Sequence, residues 1–222
     1  MIKLVVFDWN GTLIADTNAC WEADNHVLEV FGGKSVDLKT YRSTIIIPAI
    51  NFYTTHGCSR AELENNCEKL GQVFDLAYEP RVLRCRTRRG TKKILLWLKK
   101  NSIRTIILSN HTIEGIMTQL YRLKIKNYFD DIVANTEISS AMKSQNKREK
   151  LKKYLSDNNI DRSEVIIVGD SPEEIEIGKL LHIKSCAITE GYYSIARLKS
   201  AKPDYLIHNL LDIKKIILDM KG

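Results

Sequence analysis

The sequence predicts an α/β fold in which a doubly wound parallel sheet carries a small helical domain inserted after its first strand. Two observations support this prediction. Short apolar runs alternate with longer runs of helical spacing through most of the chain, which is typical of parallel sheets covered by helices on both faces. Between about residues 16 and 80, by contrast, the pattern is almost entirely helical.

Five short apolar runs, each ending in small or polar residues, indicate strands. In chain order they are IKLVVFD, RTIILSN, EVIIVGD, KSCAIT and PDYLIHN. Right-handed crossovers between parallel strands place all strand C-termini along one edge of the sheet. Ligands bind at that edge, near the point where the strand order reverses.

Longer runs with helical spacing separate or follow the strands. They are TKKILLWLKKN, IEGIMTQLYRLK, KREKLKKYLSDN, EEIEIGKLLH and LLDIKKIILDMK. The inserted segment contains NACWEADNHVLEVF and SRAELENNCEKLGQVF, and the SRAE sequence has the form of a capping box, so a helix is expected to begin at Ser59. We therefore expect a core domain of residues 1–15 and 84–222, with a helical cap of residues 16–83.

The composition describes an ordinary globular protein of 222 residues with a net charge of +7. The five cysteines are scattered and lack metal-type spacing, so we expect reduced thiols and a cytoplasmic location. No apolar stretch approaches the roughly 20 residues that cross a bilayer, and no membrane partner is expected. A basic run at residues 81–93 lacks interleaved aromatic residues, so a nucleic-acid partner is not expected.

Polar residues follow three of the predicted strands. Asp8 ends the first, Ser109 and Asn110 end the second, and Asp170 ends the third. The sheet topology brings these strand ends to one edge, so the three strand ends predict a single site that contains two carboxylates, a hydroxyl and an amide.

This set of side chains suits phosphoryl transfer. An aspartate can attack phosphorus and form an aspartyl phosphate, while Mg²⁺ accepts carboxylate oxygens from residues such as Asp8 and Asp170. The hydroxyls of Thr12 and Ser109 are candidates for holding the phosphoryl group. A lysine is needed to offset charge, and the run SSAMKSQNKREKLKK offers Lys143 and Lys147. A small phosphorylated substrate is therefore the expected partner.

The motifs resemble those of the haloacid dehalogenase superfamily, and specifically its phosphatase-like members with a helical cap, such as phosphoglycolate phosphatases. FDWNGTL resembles the first family motif, IILSN the second and VGDSPEEIE the fourth. NKREKLKKYL fits the looser lysine motif at a suitable distance before Asp170, which favours Lys147 over Lys143. The closing segment GYYSIARLKSAKPDYLIHNLLDI is also similar to that family.

The resemblance implies a Rossmann-like core and a Mg²⁺-dependent phosphatase acting on a small phosphorylated metabolite. It makes Asp8 the nucleophile, and it assigns the metal to Asp8, the main-chain carbonyl of Asn10 and Asp170, with Glu174 reaching the metal's water shell. It also implies a phosphoryl site formed by Thr12, Ser109, Asn110 and Lys147.

The sequence departs from the family pattern at Asn10 and Glu174, where phosphatase members usually carry aspartate. The aspartate at position 10 is the general acid and base of the family, and an asparagine cannot transfer a proton. General acid–base catalysis contributes about 10²–10⁴-fold, so activity is expected to be weak or restricted to good leaving groups, such as acyl phosphates, anhydrides and aryl phosphates.

The sequence alone leaves open which residue would replace the missing base. The candidates are His111, His56 and Asp16. The alternative function is a catalytically weakened phosphate-binding or regulatory protein on the same fold.

Overall fold

The computed structural model describes residues 1–136 and 146–220. Within this part of the chain, six parallel strands form one sheet in the order β3-β2-β1-β4-β5-β6. They are β1 (Leu4–Phe7), β2 (Arg104–Thr112), β3 (Asp131–Asn135), β4 (Val165–Gly169), β5 (Lys184–Ile188) and β6 (Tyr205–Ile207). Strand β1 lies between β2 and β4, so the residues that follow these three strands meet at the middle of one edge.

Helices fill the connections between the strands. Five of them lie between residues 16 and 83, after β1: α1 (Thr17–Val30), α2 (Leu38–Thr44), α3 (Ala49–Thr55), α4 (Arg60–Asn65) and α5 (Cys67–Val82). The others are α6 (Thr91–Lys100), α7 (Ile113–Leu123), α8 (Lys147–Asp157), α9 (Pro172–Leu181), α10 (Ile195–Ser200) and α11 (Asp212–Asp219). The arrangement confirms the predicted α/β class with helices inserted after the first strand. No helix in the described ranges is long and apolar enough to span a membrane.

The predicted capping box begins α4. The Ser59 hydroxyl accepts a hydrogen bond from the Glu62 N–H at 3.4 Å, which satisfies one of the free donors of the first turn. The sequence predicted one helical piece across residues 59–74, but the structure breaks it at Asn66, whose φ of −123° and ψ of 33° are not helical. Helices α4 and α5 are therefore separate.

Strand β1 is buried on both faces. Its side chains alternate, as the pleat of a strand requires. Val5 and Phe7 join the apolar cluster that includes residues of α6, α7 and α11, whereas Leu4 and Val6 join the cluster that includes residues of α8 and α9. All four side chains are fully buried, and each contributes about 1.5–3 kcal/mol of hydrophobic free energy. The strand that leads into the loop at Asp8 is thus packed on both faces.

A third apolar cluster joins the inserted helices to the rest of the protein. From the insertion it contains Val27, Leu28, Tyr41, Phe52 and other buried residues, and from outside it contains Ile175, Ala187, Tyr193 and Leu198. Polar contacts reinforce this cluster, because Arg42 of α2 donates to the Gly191 carbonyl at 3.0 Å and the Ser194 N–H donates to the Arg42 carbonyl at 2.9 Å. The insertion therefore packs firmly against the loop after β5.

One carboxyl group is buried inside the insertion. The Asp24 side chain accepts hydrogen bonds from Tyr41 at 2.8 Å and from Tyr53 at 2.6 Å. Burial raises the pKa of Asp24 to about 6, although the hydrogen bonds from Tyr53, Tyr41 and Cys20 oppose the shift. The folded protein therefore binds this proton more tightly than the unfolded chain does.

Replacing Asp24 by asparagine is expected to remove a pH dependence of stability. Because the folded-state pKa is raised, Asp24 contributes stability that is present below about pH 4 and is lost as the pH rises through about 6. The shift from 3.8 to about 6 corresponds to about 3 kcal/mol. In urea denaturation, the stability of Asp24→Asn relative to wild type should rise by that amount across this range. An unchanged difference would contradict the assignment, and the exposed Asp157→Asn serves as control.

Candidate active site

Asp8 follows β1 directly and is buried at the meeting point of the strand ends. Its N–H donates to the Val168 carbonyl of β4 at 2.9 Å. Its Oδ1 accepts a hydrogen bond from Lys147 Nζ at 2.7 Å. Its Oδ2 accepts no hydrogen bond from the described residues, so this oxygen is free to attack or to bind a cation.

The loop after Asp8 turns tightly against a second carboxylate. Gly11 has a φ of +70°, and a Cβ at this position would overlap the Asp170 carboxylate. Glycine is required here because of the positive φ and because a side chain would clash with Asp170. The guanidinium of Arg88 fixes the loop, because it donates to the Gly11 carbonyl and to the Thr189 carbonyl, each at 2.6 Å. The loop therefore holds Asp8 and Asp170 at one site.

Lys147 lies at the start of α8 among three carboxylates. Its Nζ contacts Asp8 at 2.7 Å, Glu174 at 2.6 Å and Glu173 at 3.7 Å. Burial lowers the pKa of Lys147, but the three carboxylates outweigh it and raise the pKa well above its usual range. Lys147 is therefore a buried cation beside the free oxygen of Asp8. Lys143, the other sequence candidate, lies outside the described residues.

The two aspartates of the site both bind protons more readily than usual. Burial raises the pKa of Asp8 well above its ordinary value, with Lys147 opposing and Glu174 and Asp170 adding to the shift. Burial likewise raises the pKa of Asp170 to about 6. Asp170 accepts hydrogen bonds from Thr12 Oγ1 at 3.0 Å and from the Tyr192 N–H at 2.6 Å. The buried carboxylates of Asp8 and Asp170 repel each other, and a bound cation would relieve this repulsion.

The residues at the end of β2 sit beside this group. Ser109 is buried, and its Oγ accepts the His111 N–H at 3.1 Å, which leaves its hydroxyl proton free to donate. The Asn110 side chain donates to Glu173 at 3.0 Å, while its buried Oδ1 has no partner among the described residues. Ser109 thus presents a donor, and Asn110 an unpaired acceptor.

Glu174 packs over the backbone of Gly169, where an added Cβ would overlap it. One of its oxygens accepts from Lys147 and the other accepts from the Ser171 hydroxyl at 2.6 Å. Both oxygens are thus engaged by protein groups, and Glu174 acts on the site by holding Lys147 in place.

Asn10 is bound into a network centred on Asp16. The Asn10 amide donates to Asp16 Oδ2 at 2.6 Å and to the Tyr78 hydroxyl at 2.9 Å. Asp16 also accepts from the Gly11 N–H at 2.8 Å, from Tyr78 at 2.6 Å and from Tyr192 at 2.9 Å. The carboxylate of Asp16 is fully buried, and four donors surround it.

The two histidine candidates have different surroundings. His111 accepts the Thr112 N–H at Nδ1 with a distance of 2.6 Å, so a neutral ring carries its proton on Nε2. Burial lowers the pKa of His111, which favours the neutral ring, and the acceptor nitrogen of that ring is engaged by Thr112. His56 bonds to Thr44 at 2.9 Å and packs on Phe52, both within the insertion.

The donor set suits Mg²⁺, although the described residues hold no group of three or more His, Cys, Asp and Glu side chains close enough for a metal ion. The ligands that the sequence predicts are Asp8, the main-chain carbonyl of Asn10 and Asp170, with Glu174 in the water shell, and both oxygens of Glu174 are engaged by Lys147 and Ser171. All are oxygen donors, which Mg²⁺ prefers. Glycines at positions 11 and 191 let the backbone close around Asp170, where a Cβ would overlap its carboxylate.

Sequence reasoning missed several residues of this site. Arg88 is one of several basic residues in the run at 81–93, and nothing in the sequence distinguishes it from the others. No local sequence pattern marks Tyr78, Tyr192 or Glu173 as site residues. Asp16 was considered only as a substitute base. Its distance of eight residues from Asp8, just after a tight turn, could have indicated that it folds back toward Asn10.

Comparison with known proteins places the chain in a family. Residues 5–188 match the model of the haloacid dehalogenase-like hydrolases. A candidate pyrophosphatase, PpaX, of Caldanaerobacter subterraneus is 28% identical over 130 residues, which span 59% of this chain and 58% of that protein. A phosphoglycolate phosphatase of Synechococcus elongatus is 24% identical across 99% of each chain. A haloacid dehalogenase-like hydrolase from Streptococcus pneumoniae superposes with a TM-score of 0.80 at 21% identity, covering 97% of this chain and 98% of its own.

The fold and the match over most of the chain define a hydrolase with a parallel-sheet core. The chain belongs to the haloacid dehalogenase-like hydrolase family. The predicted family and the predicted class of enzyme are thereby confirmed.

Proposed function

We propose that this protein is a Mg²⁺-dependent phosphohydrolase that acts on a small phosphorylated metabolite through an aspartyl phosphate on Asp8. The observation that carries the proposal is the buried Asp8 carboxylate, which has one oxygen held by Lys147 at 2.7 Å and the other unbonded within the described residues. A positioned carboxylate beside a buried cation is suited to attack phosphorus.

The reaction has two displacements at phosphorus. Asp8 Oδ2 forms a bond to the phosphorus as the bond to the leaving oxygen breaks. Water then attacks the same phosphorus, the bond to Asp8 breaks, and inorganic phosphate leaves. Lys147 and Ser109 donate to the phosphoryl oxygens, and Thr12 would donate to them once its hydroxyl rotates away from Asp170, to which it donates at 3.0 Å. Asn110, the residue after Ser109, is the remaining member of the proposed phosphoryl site.

The main-chain carbonyl of Asn10, with Asp8 and Asp170, would hold Mg²⁺. The ion supplies charge neutralisation between the phosphoryl oxygens and the buried carboxylates. Glu174 contributes negative charge near the ion and keeps Lys147 in position. We further propose that residues 16–83 form a cap that selects the substrate, and that residues 1–15 and 84–222 form the core.

Good leaving groups are the proposed substrates. Asn10 donates its amide to Asp16 and Tyr78 and cannot protonate a leaving oxygen. An anhydride or acyl phosphate leaves without that proton, and the name of the Caldanaerobacter relative is that of an anhydride-cleaving enzyme. All five cysteines are free, which supports a cytoplasmic location.

The test is Mg²⁺-dependent phosphate release from p-nitrophenyl phosphate, whose leaving group needs little protonation. We expect release that stops on chelation and returns when Mg²⁺ is restored. Asp170→Ala is the matched variant, in which Mg²⁺ binding measured by calorimetry should be lost together with release. If wild-type protein binds neither Mg²⁺ nor phosphate, the proposal is wrong. Binding of both without release would favour the alternative, a phosphate-binding or regulatory protein.

Replacing Asn10 by aspartate is expected to raise turnover on alkyl phosphates by about 10²–10⁴-fold, because the variant gains a general acid and base. The gain on p-nitrophenyl phosphate should be smaller, since that leaving group departs as an anion. Steady-state rates on both substrates, measured with freshly purified protein, give the ratio. Equal gains on the two substrates would mean that leaving-group protonation is not what Asn10 limits.

A further inference from the structure

The catalytic loop contains a chemically labile pair of residues. Asn10-Gly11 is the only Asn-Gly sequence in the chain. An asparagine followed by glycine deamidates readily, because glycine has no side chain to hinder the attack of its nitrogen on the asparagine amide. Gly11 cannot be exchanged for a bulkier residue, since its φ is +70° and a Cβ would overlap Asp170. The fold of this loop therefore retains the Asn-Gly pair for as long as position 10 is asparagine.

The fold places one proton acceptor, the Asp16 carboxylate, in contact with both nitrogen atoms that take part in deamidation. Asp16 Oδ1 accepts the N–H of Gly11, the attacking nitrogen, at 2.8 Å. Asp16 Oδ2 accepts the Asn10 Nδ2 amide, the leaving nitrogen, at 2.6 Å. Because both oxygens belong to one carboxylate, the Asn10 side-chain amide and the Gly11 N–H lie on the same side of the loop, against Asp16. Asn10 itself is only partly buried, so water can reach it.

We propose that Asn10 is a site of spontaneous deamidation, assisted by Asp16, which converts it to the aspartate that this catalytic loop lacks. The benefit to catalysis rests on the proposed phosphohydrolase function, whereas the modification itself does not. The protein would then be made in a weakly active form and gain its general acid and base through its own chemistry.

The chemical steps balance with water as the only co-reactant. The Gly11 nitrogen forms a bond to Cγ of Asn10 and gives its proton to Asp16. The bond between Cγ and Nδ2 then breaks, and Nδ2 takes a proton from Asp16 and leaves as ammonia. Water adds to Cγ of the resulting succinimide, and the bond between Cγ and the Gly11 nitrogen breaks. The net change is one water consumed and one ammonia released.

The loop favours aspartate over isoaspartate as the product. Isoaspartate would insert an additional backbone carbon before Gly11. Arg88 holds the Gly11 carbonyl at 2.6 Å, and a Cβ added at Gly11 would already overlap Asp170, so the loop has no room for a longer backbone. Ring opening at Cγ keeps the native backbone path.

The experiment incubates the folded protein of residues 1–222 at neutral pH. The peptide that contains residue 10 is followed by mass spectrometry, with fragmentation that separates aspartate from isoaspartate. We expect Asn10 to convert to aspartate faster than the exposed Asn101, which precedes Ser102. In Asp16→Asn the conversion should slow by about 10²-fold, the order expected for loss of a proton-transfer group. Asn10→Gln should not convert.

Two further measurements complete the test: deamidation in the unfolded protein and turnover of the incubated samples. If Asp16→Asn does not fold, wild-type protein unfolded in urea replaces it, and conversion should be slower there than in the folded protein. Equal or faster conversion in urea, or an amide that persists while Asn101 converts, overturns the proposal. Turnover of an alkyl phosphate is measured on the same samples. Conversion without a rise in turnover supports the modification site and contradicts the proton-transfer part of the proposed function.

Discussion

Asp8→Asn is expected to abolish Mg²⁺-dependent phosphate release, with a loss of at least about 10⁴-fold, the order seen when a nucleophile is removed from an enzyme. The amide keeps the size of the carboxylate and can still accept from Lys147 through its oxygen. It cannot form an aspartyl phosphate. Phosphate release from p-nitrophenyl phosphate, and acid-stable labelling of the protein by substrate phosphorus, should both disappear.

The folded state of this variant should survive, because replacing Asp8 also removes one of several repelling buried carboxylates. Thermal unfolding by circular dichroism provides the check. A cooperative transition near that of wild type, combined with absent activity, would assign the loss to chemistry. Residual release within a few fold of wild type in a verified Asp8→Asn sample would rule Asp8 out as nucleophile.

Lys147→Met is expected to cut turnover by about 10²–10³-fold, the order found for loss of one group that stabilises transition-state charge. Methionine is close to lysine in length but carries no charge. Because Lys147 opposes the upward pKa shift of Asp8, its removal raises that pKa further. Asp8 must be ionised to attack, so the acidic limb of the pH–rate profile should move to higher pH.

Lys143→Met is the matched control, since it removes the other sequence candidate from the same basic run. We expect wild-type turnover and an unmoved pH profile in that variant. The reverse pattern, in which Lys143→Met is inactive and Lys147→Met is active, would transfer the phosphoryl role to Lys143. Stability also distinguishes them, because removing Lys147 leaves three carboxylates without their cation and should destabilise the fold by about 3–5 kcal/mol.

The parts of the fold that the sequence predicted are those with strong local signals. Strands β1, β2 and β4 are buried on both faces and appear in the sequence as continuous apolar runs. The sheet topology alone then predicts that the polar residues after these strands lie close together. Strand β3 was missed because it lies at the sheet edge and begins with the exposed Asp131. Its three apolar residues are only partly buried, so the run is too short to stand out.

The network around Asp16 could not be predicted, for a different physical reason. Its partners Tyr78 and Tyr192 lie 62 and 176 positions away in the chain. No periodicity connects such residues, and their meeting depends on how the inserted helices pack on the loop after β5. Asn10 was recognised as a departure from the family motif, but what the amide does in place of a carboxylate required the packed structure.

The apolar cluster that joins the inserted helices to Ile175, Ala187, Tyr193 and Leu198 has a consequence for cooperativity. A segment that shares its interior with its neighbour cannot melt alone without exposing that interior to water. Thermal denaturation should therefore follow a single transition, and excision of the helices would leave an insoluble remnant rather than a minimal enzyme. The inserted helices and the parallel-sheet core therefore form one thermodynamic unit.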